Sequence, residues 1–305
     1  MIQESHLRTQ RSHCLSVAGN VKNEDTGERI DRELPEIPEI ETVRRQLAQH
    51  VQGKIIETVM VNREKSLNVS VNNFIDTITG QQIIKVRRRA KQIILTLSNA
   101  HSLVVHFMLE GYVRIFYSRE TVSGRPSVVF TLNSGDKMAF FKLTLGYIHL
   151  VPAVNFADIP ELSGLGPEPL SPEFTPEEFL NLLSKRKGMI KPLLMDQAFL
   201  AGIGNVYSNE TLFCSRIRPE RKAAALTTTE KINLYHCIRD ILTRAIELGG
   251  VNEDKFASDD ILTGGFEPHL QVAYRTGLPC YVCRTSIETK RVGGRNAFYC
   301  PVCQR

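Results

Sequence analysis

The sequence predicts an α+β chain in two halves: a β-sandwich with flanking helices, then a helical domain closed by a small cysteine-bearing module. Three observations carry this expectation. Short β-rich runs fill residues 54–151, capping boxes and apolar repeats of helical period fill residues 175–250, and Cys280-x-x-Cys283 is matched by Cys300-x-x-Cys303 near the end of the chain. At 305 residues there is enough chain for two separate cores. No apolar run approaches the roughly 20 residues needed to span a bilayer. The first 30 residues also lack the apolar centre of a secretion signal, so a cytoplasmic protein with no membrane partner is expected.

Taken in order, residues 1–33 are polar, aperiodic and hold five Lys/Arg against six Asp/Glu, the composition of a disordered leader. The remaining chain carries +6, a modest excess that favours a polyanionic partner. Residues 39–52 read as an amphipathic helix with Ile40, Val43, Leu47 and Val51 on one face, Pro38 at its start and Gly53 at its end. The β-runs are Ile55–Val61, Gln92–Leu97, Leu103–Phe107, Val113–Tyr117, Val128–Leu132 and Tyr147–Val151, separated by turns such as Asn133-Ser134-Gly135-Asp136. Between two of them, Arg87-Arg88-Arg89-Ala90-Lys91 reads as a basic turn.

Residues 152–174, rich in Pro, Gly and Ser, read as a linker. Thr175-Pro176-Glu177-Glu178 and Thr227-Thr228-Thr229-Glu230 each open a helix as a capping box. The second helix carries Ile232, Tyr235, Ile238, Leu242, Ala245 and Ile246 and stops at Gly249-Gly250. Residues 251–269 look irregular, and 270–305 form the cysteine module.

The paired spacing of Cys280, Cys283, Cys300 and Cys303 places two thiolates on each of two tight knuckles, the ligand set of one tetrahedral zinc. Four thiolates leave no open coordination position, so that zinc is structural. Cys14, Cys214 and Cys237 have no partner spacing, and the last two read as small buried side chains. Between the knuckles, Gly293-Gly294-Arg295 suits a tight hairpin that pushes a guanidinium outward. Upstream, Lys191-Pro192 and then Ala201-Gly202-Ile203-Gly204-Asn205 break a helical stretch with glycines, which brings a helix N-terminus and its N–H groups to where a phosphate could sit.

Leu34-Pro35-Glu36-Ile37-Pro38-Glu39-Ile40-Glu41-Thr42-Val43-Arg44-Arg45 resembles the start of the formamidopyrimidine-DNA glycosylases and their endonuclease VIII-like relatives. The basic turn, the glycine-rich segment and the cysteine module then resemble further elements of that family in the same order, covering residues 34–305. The resemblance implies a catalytic sandwich over 34–151, a helix-two-turn-helix DNA-binding domain over 175–269 and a zinc finger over 270–305. It implies damaged double-stranded DNA as partner, action as a monomer, and excision of oxidised purines followed by strand cleavage through β,δ-elimination. On this reading Pro35 is the nucleophile and Glu36 the general acid/base. Lys91 and Arg295 assist from their hairpins, while Lys187, Lys191 and Asn205 grip the DNA backbone.

Two departures qualify that reading. Within a longer chain the nitrogen of Pro35 is a tertiary amide without hydrogen or useful basicity. The expectation is therefore that the natural start is at Leu34, from a leucine codon read as methionine, and that residues 1–33 are not part of the working protein. The duplex-probing wedge also differs: the family pattern is replaced by His106-Phe107-Met108-Leu109-Glu110-Gly111 and Lys142-Leu143-Thr144-Leu145-Gly146. Leu109, Leu143 and Leu145 stand where the family inserts methionine, arginine and phenylalanine, and a histidine expected near Ser127 is missing. The alternative is a damaged-DNA-binding homologue that is catalytically impaired by a blocked Pro35 or by the altered wedge.

Overall fold

The computed structural model describes residues 35–152, 155–251 and 254–305. The expectations for residues 1–33, Leu34 and Cys14 lie outside these described residues. The first helix, α1 (Ile37–Val51), starts two residues earlier than its apolar period suggested because Pro38 fits the first turn, where an N–H is dispensable. Its Ile37 packs in the core of the helical half, whereas Ile40, Val43, Leu47 and Val51 pack in the core of the sandwich. One helix therefore belongs to both cores, with its N-terminal end at the junction between them.

The sandwich consists of two four-stranded antiparallel sheets. One has the order β1 (Ile56–Val61), β6 (Pro126–Leu132), β7 (Lys137–Phe141), β5 (Tyr112–Phe116). The other runs β2 (Ile83–Arg89), β3 (Gln92–Leu97), β4 (Ser102–His106), β8 (Tyr147–Val151). Ile93, Leu95 and Val105 of one sheet meet Phe130, Met138 and Phe140 of the other in a single apolar layer. The short helix α2 (Val71–Ile78), capped by Ser70, closes one end with Phe74 and Ile78.

Three elements differ from the sequence reading. The basic segment is not a turn: Arg87, Arg88 and Arg89 pair in register with Ile94, Ile93 and Gln92 as the end of β2, and only Ala90-Lys91 makes the turn. β2 buries little of its own surface and is a strand because β3 supplies its partner, a tertiary effect that local pattern does not carry. β7 is buried on both faces, because Ala139 and Phe141 meet a second small cluster with Phe116 and Val129 on the outer side of the sheet. It therefore has no polar-apolar alternation to read. The proline-rich stretch after β8 is tied down rather than free, with Ile159, Leu162 and Phe174 buried.

The helical half contains α3 (Pro176–Ser184), α4 (Ile190–Met195), α5 (Asn205–Cys214) and α6 (Thr228–Glu247). The Thr175 and Thr227 side chains accept the expected capping hydrogen bonds from the backbone N–H groups of Glu178 and Glu230. α5 is buried along nearly its whole length and packs against α4, α6 and the final hairpin of β9 (Glu288–Val292) and β10 (Arg295–Tyr299). The cysteine module is not a separate body. Cys280, Ile287, Phe298 and Cys300 belong to the same core as α3 to α6. No helix among the described residues is long and apolar enough to cross a membrane.

Candidate active site

Glu36 is the N-cap residue of α1 and is only 1% exposed. A buried carboxylate needs donors. It finds them 168 residues away, where Oε2 accepts from the backbone N–H of Gly204 and Oε1 accepts from Val206 at 2.8 Å. The helix N-terminus that the sequence offered to a phosphate is thus occupied by Glu36, a correction to the sequence reading. Gly204 is required here, since a Cβ would lie 2.6 Å from the Glu36 carboxyl carbon. The carbonyl of Gly202, a residue at φ +100°, accepts the Ile37 N–H at 3.1 Å and brings α1 against this turn.

Glu39 fixes the other side of the chain entry. Its Oε2 accepts the Glu36 N–H at 2.9 Å, and its Oε1 accepts from Tyr207 Oη at 2.5 Å and Val251 N–H at 2.9 Å. Full burial pushes its pKa up against these three donors, and burial beside it pushes the Tyr207 phenol well up. Glu39 therefore acts as an internal strap that holds the Pro35–Glu36 peptide in one position. Half-buried Pro35 faces a narrow cleft lined with Glu39, Phe107, Gly111, Tyr112 and Asp254.

The Ala90-Lys91 turn reaches the same junction. A Cβ on Gly202 would lie 3.6 Å from Ala90 Cα. Glu168 accepts Ala90 N–H at 2.6 Å and also the Arg88 Nη2 at 2.6 Å, while Arg88 Nε pairs with Glu41 at 3.1 Å. Arg88 is therefore spent internally, between α1 and the former linker. Lys91 is buried, and its charge joins burial in lowering the pKa of His106, to about 4, so His106 is neutral at pH 7. Pro35, Glu36 and the backbone of the Ala90-Lys91 turn are thus brought to one junction.

The expected DNA-gripping residues separate. Lys187 is exposed on the segment before α4. Lys191 is 0% exposed, so direct contact with a polyanion is ruled out and that expectation is corrected. Its Nζ donates to Asn205 Oδ1 at 2.7 Å and Ser208 Oγ at 3.0 Å. With the Asn205 oxygen held by a cation, the NH2 is the donor end of this buried side chain. Lys191 acts through Asn205.

Arg295 is exposed at the start of β10, after the positive-φ turn Gly293-Gly294, and lies apart from the Glu36 carboxylate by sequence and element. A Cβ on Gly293 would collide with the Pro192 ring, so the hairpin turn rests on α4. The four cysteine sulfurs all lie within 4.8 Å of one another, with Cys280–Cys303 at 3.9 Å and Cys283–Cys300 at 3.4 Å. Sulfurs about 2.3 Å from a tetrahedral centre stand just under 4 Å apart, so the cluster fits one zinc.

The loops at the sandwich end show which of the three expected wedge leucines are exposed. Leu109 is 43% exposed and Leu145 58%, but Leu143 is fully buried and leaves the expected wedge. Arg63 Nε and Nη2 donate to the carbonyls of Leu143 and Thr144 at 2.9 and 3.0 Å, and Ser127 Oγ accepts Leu143 N–H at 3.2 Å. Leu145 is presented by a braced loop. Neither the Glu36–Gly204 link nor the Arg63 brace has a local sequence signal, since each joins elements distant in the chain.

Residues 34–143 match the formamidopyrimidine-DNA glycosylase N-terminal domain, 165–256 the formamidopyrimidine-DNA glycosylase H2TH domain, and 277–305 a zinc finger found in FPG and IleRS. A formamidopyrimidine-DNA glycosylase of Pelotomaculum thermopropionicum is 38% identical over 274 residues, covering 89% of this chain and 99% of its own. The crystal structure of the Thermus thermophilus MutM (Fpg) protein is 33% identical with a TM-score of 0.78, covering 88% of this chain and 98% of its own. A Lactococcus lactis FPG mutant in complex with Fapy-dG-containing DNA is 29% identical with a TM-score of 0.82, covering 89% and 100%.

Proposed function

The chain belongs to the formamidopyrimidine-DNA glycosylase family, and from that premise we propose that it is a base-excision-repair glycosylase and AP lyase acting on oxidised purines in duplex DNA. The observation that carries the proposal is the pinned Pro35–Glu36 pair: a buried Glu36 carboxylate held by two backbone N–H groups, with the Glu36 N–H that follows Pro35 held by Glu39. Borohydride trapping of the form beginning at Pro35 tests it. The DNA-bound Lactococcus relative supports damaged duplex as the ligand of this chain. A nucleoid-associated place in the cytoplasm follows from that ligand.

The chemistry follows from the groups present. A terminal proline is a secondary amine with a pKa of roughly 8, so part of it is unprotonated at neutral pH. Its lone pair attacks C1′ of the damaged nucleotide, the glycosidic bond breaks, and the base leaves with a proton. Glu36 takes the proton shed by the proline nitrogen and delivers it to the ring oxygen, so the C1′–O4′ bond breaks, the sugar opens and an iminium ion forms. The positive nitrogen acidifies C2′–H, whose proton loss expels the 3′ phosphate, and a second elimination expels the 5′ phosphate. Lys91 stands at the same junction as a cation for the lesion phosphates, and Arg295 would support the last elimination from its hairpin. Asn205, oriented by Lys191, supplies a neutral donor to the backbone, and exposed Lys187 supplies charge. Cys280, Cys283, Cys300 and Cys303 would hold a zinc that braces the hairpin carrying Arg295.

While Pro35 remains bonded to Leu34 it has no lone pair to offer. A chain in that state binds damaged duplex without forming an adduct, which is the second reading.

Gly204→Ala tests the carboxylate seat without touching either reacting group. The added methyl displaces Glu36, so single-turnover excision is expected to fall on the order of 10²–10⁴-fold, the usual share of a general acid/base. DNA affinity should stay close to the parent value. Unchanged excision would mean that Glu36 does not work from this seat.

Substrate order tests the wedge. Extruding a nucleotide costs a few kcal/mol, least where the base is damaged or absent. Leu109 and Leu145 can fill the vacated space, but neither can hydrogen-bond the orphaned partner base. The Pro35 form is therefore expected to trap on abasic sites more readily than on oxidised guanine in a normal pair, with weak dependence on the opposite base. Equal or greater trapping on oxidised guanine would overturn that order.

A further inference from the structure

The sequence offered no pairing for Cys214 and Cys237, and the structure joins them as a disulfide with Cα atoms 5.8 Å apart and a separation of 23 positions in the chain. That Cα spacing is ordinary for a bridged pair. Cys214 is the last residue of α5 and is exposed, whereas Cys237 lies midway along α6 and is buried. The two helices do not depend on the bond to face each other. Leu212 of α5, Ile217 just beyond its end, and Leu234 and Ile238 of α6 lie in one apolar core, so the thiols remain opposed when reduced.

The site of this bond gives it consequence. α5 opens with the N–H groups that hold Glu36, carries Tyr207 against Glu39, and through Glu210 accepts the N–H groups of Gln271, Val272 and Ala273. α6 packs on α1 as well as on α5. A covalent tie between α5 and α6 therefore closes a ring of elements around the Glu36 seat. The four cysteines of the zinc cluster take no part in it.

We propose that Cys214 and Cys237 form a reversible thiol-modification site that takes a low-molecular-weight disulfide as its oxidant and, when oxidised, clamps α5 to α6. The difference in exposure sets the order of events. The Cys214 thiolate attacks one sulfur of the external disulfide and releases the first small thiol, leaving a mixed disulfide on Cys214. The Cys237 thiolate then attacks the Cys214 sulfur and releases the second. The protein gives up two protons and two electrons, and the external disulfide becomes two thiols. Excess small thiol reverses both steps. The bond thus forms as the surrounding thiol pool becomes oxidised, and the chain is stabilised under that condition.

The test uses the full zinc-loaded chain equilibrated in graded mixtures of reduced and oxidised glutathione, quenched by acid and alkylation, and mapped without reduction. The expected result is a linked peptide pair joining Cys214 to Cys237 that rises with the oxidised fraction, with a melting temperature roughly 5–10 °C above that of the reduced protein. Cys214→Ser should remove both the link and the shift, and because that side chain is exposed the variant should fold. Cys237→Ala gives a second control, expected to stop at the glutathione adduct on Cys214. Four results would overturn the proposal: both thiols alkylated at every ratio, Cys214 linked to Cys14 instead, a glutathione adduct that never resolves in the parent chain, or equal melting temperatures. None of these readouts involves DNA, so they stand apart from the reading of the active site.

Discussion

The form of the chain that begins at Pro35 is expected to give a covalent adduct with abasic DNA under borohydride, and the form that begins at Met1 is expected to give none above the background of lysine amines. The two differ by a single chemical fact at the nucleophile. In the longer form the Pro35 nitrogen is acylated by Leu34 and its lone pair is delocalised into the carbonyl. In the shorter form it is a free secondary amine. Everything on the other side of Pro35 is fixed independently of what precedes it: Glu36 N–H on Glu39, Ile37 N–H on Gly202, and the Glu36 carboxylate on Gly204 and Val206. Both forms are therefore expected to bind the duplex, which isolates the chemistry from the fold. Intact mass must verify each terminus before trapping. An adduct of equal yield from a verified Met1 form would refute Pro35 as nucleophile, and no adduct from a verified Pro35 form would favour the binder without chemistry.

Much of this site could be read in the residues, and the limits were physical. The face of α1 was legible because Ile40, Val43, Leu47 and Val51 obey one helical period against one core. The cysteine pairs were legible because metal ligation imposes local spacing. What escaped was set by partners far along the chain. Gly204 reads as a helix breaker, yet its role is to admit the carboxylate of Glu36. Lys191 reads as a surface cation because an isolated buried ammonium is costly, and only Asn205 and Ser208 make its burial tolerable. Arg88 reads as part of a basic turn, but Glu41 and Glu168 neutralise it while fixing the Ala90-Lys91 turn. Leu143 lies two residues from Leu145, and the backbone braces from Arg63 and Ser127 decide that one is buried and the other presented. The Cys214–Cys237 pair has no spacing signal, since its geometry comes from two helices packing.

Removing the zinc is expected to reach beyond the finger, because the module has no core of its own. Cys280 and Cys300 are buried in the same cluster as Phe199, Tyr207 and Leu242, and the hairpin between the knuckles donates Phe298 N–H to Asn209 of α5 at 3.2 Å. Its turn rests on Pro192 of α4, and the chain end pairs back with the α5–α6 connection through Arg218 and Arg305. A structural zinc held by four thiolates contributes on the order of 10 kcal/mol of apparent binding energy to such a fold, comparable to the usual stability margin of a whole domain. Chelation, or Cys283→Ser, is therefore expected to lower affinity for abasic duplex by about two orders of magnitude or more and to lower the melting temperature of the helical half as well as that of the finger. Arg295→Ala supplies the contrast: it removes one exposed guanidinium, so it should weaken strand cleavage and shallow the salt dependence of binding by about one phosphate contact, at an unchanged melting temperature. Equilibrium binding and thermal melting on the stripped protein and both variants separate the two effects. Unchanged duplex affinity after verified zinc loss would mean either that the hairpin keeps its shape without the metal or that it does not present Arg295 to DNA.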